Sequence, residues 1–206
     1  VTTGGVDVLM TTLAGVLAVA CLAVGAFHVL RLRLDPASEA SHAAMGVGMA
    51  AMFSPVGDPV PAPVWAGVFT LCGAWFAADA LRSPAGRRRD DAVHHVIGSG
   101  AMLFMLLGAH GGGVAGTGAA HAGHVGHGGG PDGGFGLSSI LALVLAGYFA
   151  WHVLRCADRL RAADRDREPA GGSVAVRTDV LRDVRAVALA HVVMAAAMAV
   201  MLLGMV

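Results

Sequence analysis

The chain contains no lysine, and all fourteen of its basic residues are arginines. Aromatic residues are equally scarce at 5%, so the apolar character rests on alanine, valine, leucine, methionine and glycine. Three cysteines, Cys21, Cys72 and Cys156, have no CxxC spacing. That excludes a paired-cysteine redox or zinc motif and makes a disulfide framework an unsuitable reading; small apolar residues in packed helices describe them better. Charged residues are only 14% while hydrophobic residues reach 56%, which excludes the soluble globular class. No phosphate loop, GxSxG or HExxH motif occurs. Nucleic-acid binding has no support beyond arginines whose positions membrane topology already explains.

Six apolar stretches remain, over residues 7–29, 39–53, 63–81, 92–107, 136–154 and 184–206. Each is long enough, or nearly so, to cross a bilayer as a helix, with tilt or local burial completing the short second and fourth. The expected fold is all-α, a polytopic membrane protein forming a single transmembrane domain over residues 1–206. The formal net charge is zero, yet the arginines are confined to three connections: Arg31 and Arg33, Arg82 to Arg89, and eight between Arg155 and Arg185. By the positive-inside rule these connections are cytoplasmic, which places both termini and the arginine-free loops outside. The expected location is the bacterial plasma membrane. With no basic residue before it and no small-residue cleavage pattern, the first stretch reads as a retained helix.

One helical pattern recurs three times. His42 is followed at offsets of three, seven and ten by Met45, Met49 and Met52, and His191 by Met194, Met198 and Met201. His95 is followed by Gly98, Met102 and Met105, missing only at the first offset. These offsets return to one helix face, so each segment carries an imidazole with thioethers below it. The odd-numbered helices repeat as well. The first ends in His28-Val29-Leu30-Arg31, the fifth in His152-Val153-Leu154-Arg155 and the third in Asp79-Ala80-Leu81-Arg82. The chain thus reads as three helical hairpins, over about residues 7–54, 62–110 and 136–206, related by a pseudo-threefold axis along the membrane normal.

About such an axis His28, Asp79 and His152 share one depth near the cytoplasmic end, and His42, His95 and His191 begin the returning helices close to it. Five imidazoles and a carboxylate would then form a layer for two or three metal ions, with Met45, Met49, Met102, Met194 and Met198 among the thioethers beneath. Ionisable groups inside a bilayer are costly and usually mark a cavity or a function. A lone membrane histidine is more often hydrogen-bonded across a helix interface, and a methionine stripe alone is usually core. Agreement between the copies favours metal, because packing requires apolar bulk in each copy but not imidazole.

Thioether with imidazole points to copper first, zinc second and haem b third. The leading expectation is a copper protein of transport, storage or delivery, with a copper-receiving protein as an open partner and a monomer sufficient for the repeat. The alternatives are a membrane metalloenzyme with a di- or trinuclear copper or zinc site, in which Asp79 supplies a base or bridging ligand, and a haem electron carrier. Outside the helices, the glycine-rich loop over residues 111–135 carries His121, His124 and His127, which suit Cu(II) or Zn(II) capture as well as low-complexity drift. The linker over residues 157–183 mixes Arg with Asp and reads as a solvated helix extension followed by a turn around Pro169.

The run His94-His95-Val96-Ile97-Gly98-Ser99-Gly100-Ala101-Met102, the His-x-x-Met starts at His42 and His191, and the His-Val-Leu-Arg ends are the most specific pieces of the chain. On them it resembles an actinobacterial integral membrane family classed as a domain of unknown function, family 5134. The resemblance covers essentially the whole chain and implies six helices, with no activity attached.

Overall fold

The structure is a computed structural model that describes residues 3–111, 136–165 and 183–206. His121, His124 and His127, and the linker beyond Arg165, lie outside the described residues. The described residues form six α-helices and no strand: α1 (Thr3–Arg31), α2 (Pro36–Phe53), α3 (Ala62–Arg82), α4 (Arg87–Gly111), α5 (Leu137–Arg165) and α6 (Val184–Leu203). The protein is an all-helical polytopic membrane protein. Large apolar side chains such as Val16, Val19 and Leu22 on α1, Leu71 on α3 and Val144 and Leu154 on α5 face outward. Water would not tolerate so much exposed apolar surface, whereas acyl chains solvate it.

Five helices are long and apolar enough to cross a membrane, and α2 is the exception among the six expected. It has 18 residues, and Ser41, His42 and Glu39 interrupt its small apolar side chains. What it lacks in apolar length it gains in burial, since Ala43, Met45, Gly46, Gly48, Met49 and Ala50 are all inside. Helix α5 runs to Arg165, so the first part of the charged linker is the helix extension expected of it, with Arg161 paired to Asp158 at 3.1 Å.

Two compact units divide the chain. The first comprises residues Val1–Pro61 and Gly147–Val200, and hence α1, α2, most of α5 and most of α6. Its central feature is the α1–α2 hairpin. Backbone N–H groups of Leu32 and Leu34 bond to the carbonyls of Val29 and Arg31 and tighten the end of α1. Asp35 then caps α2, accepting from Ser38 N, with Pro36 preorganised at the first helical position. Along the hairpin the two backbones touch. A Cβ added at Gly46 would come within 2.8 Å of Gly25 N and 3.0 Å of the Cys21 carbonyl oxygen. Small residues at both positions permit this approach.

The second unit comprises Ala62–Ala146 and Met201–Val206 and is built on the α3–α4 hairpin. Trp65, Phe69 and Phe76 line the inner face of α3, and Ala101, Met102 and Met105 that of α4. The turn between them ends on Gly86 at φ +146°, a backbone conformation that a side chain strongly disfavours.

Candidate metal centre

Within the first unit three histidines from three helices converge. His28 stands one turn before the arginine that ends α1, whereas His42 and His191 stand about two turns into α2 and α6. Each offers a ring nitrogen, and these atoms all lie within 4.8 Å of one another. Ring centroids are 4.8 Å apart for His28 and His42, 4.7 Å for His42 and His191 and 5.8 Å for His28 and His191. His28 and His42 are buried, at 1% and 6% exposure, and His191 is half-buried. Water therefore does not solvate the cluster as it would a surface histidine patch.

Behind His28 lies a chain of charged groups. Its Nδ1 is 2.6 Å from Oε2 of Glu39, whose Oε1 accepts from Arg31 Nε at 2.8 Å. Glu39 lies in the first turn of α2, where the helix dipole favours a negative charge. Arg31 also covers the Phe27 ring, 5.4 Å from its centroid. Arg31 Nε–H holds Oε1 and leaves Oε2 turned to His28, so that, as a carboxylate has only acceptors, Oε2 accepts and His28 Nδ1–H donates. The lone pair of His28 then resides on Nε2, an atom that is buried and makes no hydrogen bond. A buried nitrogen without a partner is costly, and a cation supplies the missing interaction.

The donor set fits a transition metal. Nitrogens around a tetrahedral ion at bond lengths of about 2.0–2.1 Å stand about 3.3 Å apart. The widest separation of 4.8 Å thus has to contract by roughly 1.5 Å for all three to hold one ion. Among the described residues this is the one group of three or more histidine, cysteine or carboxylate side chains so close together, and it contains neither cysteine nor carboxylate.

The other expected ligands occupy different surroundings. His152, the counterpart of His28 on α5, is half-buried with its ring 6.4 Å from that of Tyr148 and is not a member of the group. In the second unit, His95 is buried and stacks on Phe76 at 4.1 Å. Asp79 is engaged by Arg88, with Nη2 donating to Oδ1 at 2.8 Å and Nε to Oδ2 at 3.4 Å. Because Arg88 is 78% exposed, this pair contributes little; Arg88→Gln is expected to cost no more than about 1 kcal/mol in a thermal melt in detergent. Met45, Met49, Met194 and Met198 are buried in the first unit and Met102 in the second. Burial suits core packing and soft coordination alike, so it does not by itself assign them to metal.

Glu39 and Arg31 were not among the sequence-derived ligands. The signal that could have identified Glu39 is a carboxylate one helical turn before His42 in an otherwise apolar helix. A search for features shared by all three repeats passes over it, because the equivalent positions are Ala92 and Ala188.

A family described as a domain of unknown function (DUF5134) matches residues 35–205. No curated protein and no solved structure matches the chain.

Proposed function

For this chain, which belongs to the DUF5134 family, we propose an integral membrane copper-binding protein that holds its ion at His28, His42 and His191. The observation that carries the reading is the convergence of three largely buried imidazoles near the ends of apolar helices, one of them with a buried nitrogen lacking a partner. Copper is favoured over a dication by charge. Arg31 and Glu39 cancel, and three neutral imidazoles add nothing, so the bound ion brings its own charge into a poorly solvated site. The cost of burying an ion grows with the square of its charge, which favours Cu(I) over divalent metals. Imidazole is a suitable copper ligand, and the methionines of α2 and α6 offer a soft path beside it. With the arginine-bearing connections cytoplasmic, the site lies towards the inner face of a bacterial plasma membrane and both termini lie outside. Such a site would suit transport, storage or delivery of copper alike.

A second reading rests on the all-nitrogen donor set. Three histidines with one open position also form a catalytic zinc site, in which the metal activates water. Metal analysis of protein purified without a polyhistidine tag, with an absorption spectrum, separates the readings. One copper ion per chain, lost when His28, His42 and His191 are replaced together by alanine, is the expected result. Stoichiometric zinc supports the enzyme reading and a Soret band a haem protein. Metal content unchanged in the triple variant sinks the site.

A further inference from the structure

The three repeats do not contribute equally to the histidine cluster, and the asymmetry has a chemical content. The first hairpin supplies two of the three imidazoles together with Glu39 and Arg31, whereas α6 supplies one imidazole and has Ala188 where α2 has Glu39. Glu39 is 6% exposed. A buried carboxylate is retained at such cost only when its partners are well placed, and here both oxygens are engaged on one line of groups, Arg31 to Glu39 to His28.

We propose that Glu39 is a positioning residue for the metal site: held by Arg31, it fixes His28 as the Nδ1–H tautomer and aims its Nε2 lone pair into the cluster. The inference rests on the copper reading of His28, His42 and His191. A free imidazole exchanges its proton between the two nitrogens, and in the wrong tautomer Nε2 carries a proton and cannot bind a metal. The carboxylate removes that competition, because an oxygen acceptor 2.6 Å from Nδ1 stabilises the proton there. The same contact restricts rotation of the ring. Arg31 acts on Glu39 rather than on the histidine, its Nε–H holding Oε1 at 2.8 Å so that Oε2 stays turned to His28. A carboxylate serving only to clamp α1 to α2 makes the same Nδ1–H contact, but its removal would leave the copper affinity of a folded protein unchanged, so affinity is the readout that separates the two roles.

The test uses the full-length protein in detergent, with Glu39→Gln, Glu39→Leu and the doubly neutral Arg31→Gln/Glu39→Gln. The double variant leaves no unpaired buried charge and therefore guards against loss of the fold. Cu(I) affinity is measured by competition with a chromophoric chelator, and the His28 tautomer by nitrogen NMR on metal-free protein. The unaltered protein is expected to show the Nδ1–H form, and Glu39→Leu a mixture of tautomers with copper affinity lower by roughly 10–100-fold. The amide of Glu39→Gln still accepts a hydrogen bond, so it and the double variant should fall between. Copper bound equally tightly with and without Glu39, or an Nε2–H form in the unaltered protein, overturns the positioning role alone. Absence of copper from the unaltered protein overturns the metal reading beneath it.

Discussion

Alanine at Gly46 is expected to destabilise the protein by about 1–3 kcal/mol, whereas alanine at Gly100 is expected to be neutral or to stabilise it by up to about 1 kcal/mol. Both glycines lie inside helices, so propensity alone predicts a gain at each. The surroundings differ. The new methyl at position 46 meets Gly25 N at 2.8 Å, Gly25 Cα at 2.9 Å and the Cys21 carbonyl oxygen at 3.0 Å. All three are backbone atoms and cannot rotate away, so α1 and α2 must separate. At Gly100 no atom lies within 4 Å of the added carbon. Gly25 is intermediate, because its nearest neighbour is the movable Val47 Cγ2 at 3.1 Å. Stability series in detergent should therefore rank Gly46→Ala below Gly25→Ala, and both below Gly100→Ala. The substitution also acts on function, because the same hairpin sets His28 and Glu39 against His42. Gly46→Ala should weaken copper binding without touching a ligand. Equal stability of the Gly46 and Gly100 variants would mean that the hairpin is not held by backbone contact.

What the sequence discloses follows from which forces act residue by residue. Lipid solvates each outward side chain separately, so the helices are legible from apolar length, and the charged extension of α5 is legible from its alternation of Arg with Asp. The short α2 is less so, because packing against α1 replaces the apolar length that the other helices carry in themselves. Internal repetition identifies His28, His42 and His191 together with His95, His152 and Asp79, but register alone does not say which of the six meet. Local chemistry differs between copies. Phe76 is available to stack on His95, whereas the equivalent position in the first hairpin is Gly25, which is given over to helix contact. Arg88 is available to Asp79 nine residues away. Glu39 stayed hidden for the opposite reason, since it breaks the repeat and only its 2.6 Å contact with His28 reveals its role.

Removal of a single member of the cluster should cost more than removal of any other histidine. On the copper reading proposed above, His191→Ala is expected to lower copper affinity by more than about 100-fold, exceeding the effect typical of a residue that only supports a ligand. His191 is the sensitive choice because it comes from α6 and takes no part in the α1–α2 contacts that hold His28 and His42. Its loss leaves the hairpin intact and deletes one donor, so the change in affinity reports coordination rather than unfolding. His152→Ala provides the contrast within the same unit: it occupies the position equivalent to His28 in the repeat, yet stands beside Tyr148 and outside the group. It should retain its copper, with an unchanged stoichiometry in metal analysis. His95→Ala completes the comparison, since its stacking on Phe76 predicts a loss of packing rather than of metal. Copper lost from all three variants would support the six-residue layer that repetition suggests. Copper lost from His191→Ala alone confines the ion to the three histidines, the group in which the first hairpin adds Glu39 behind His28.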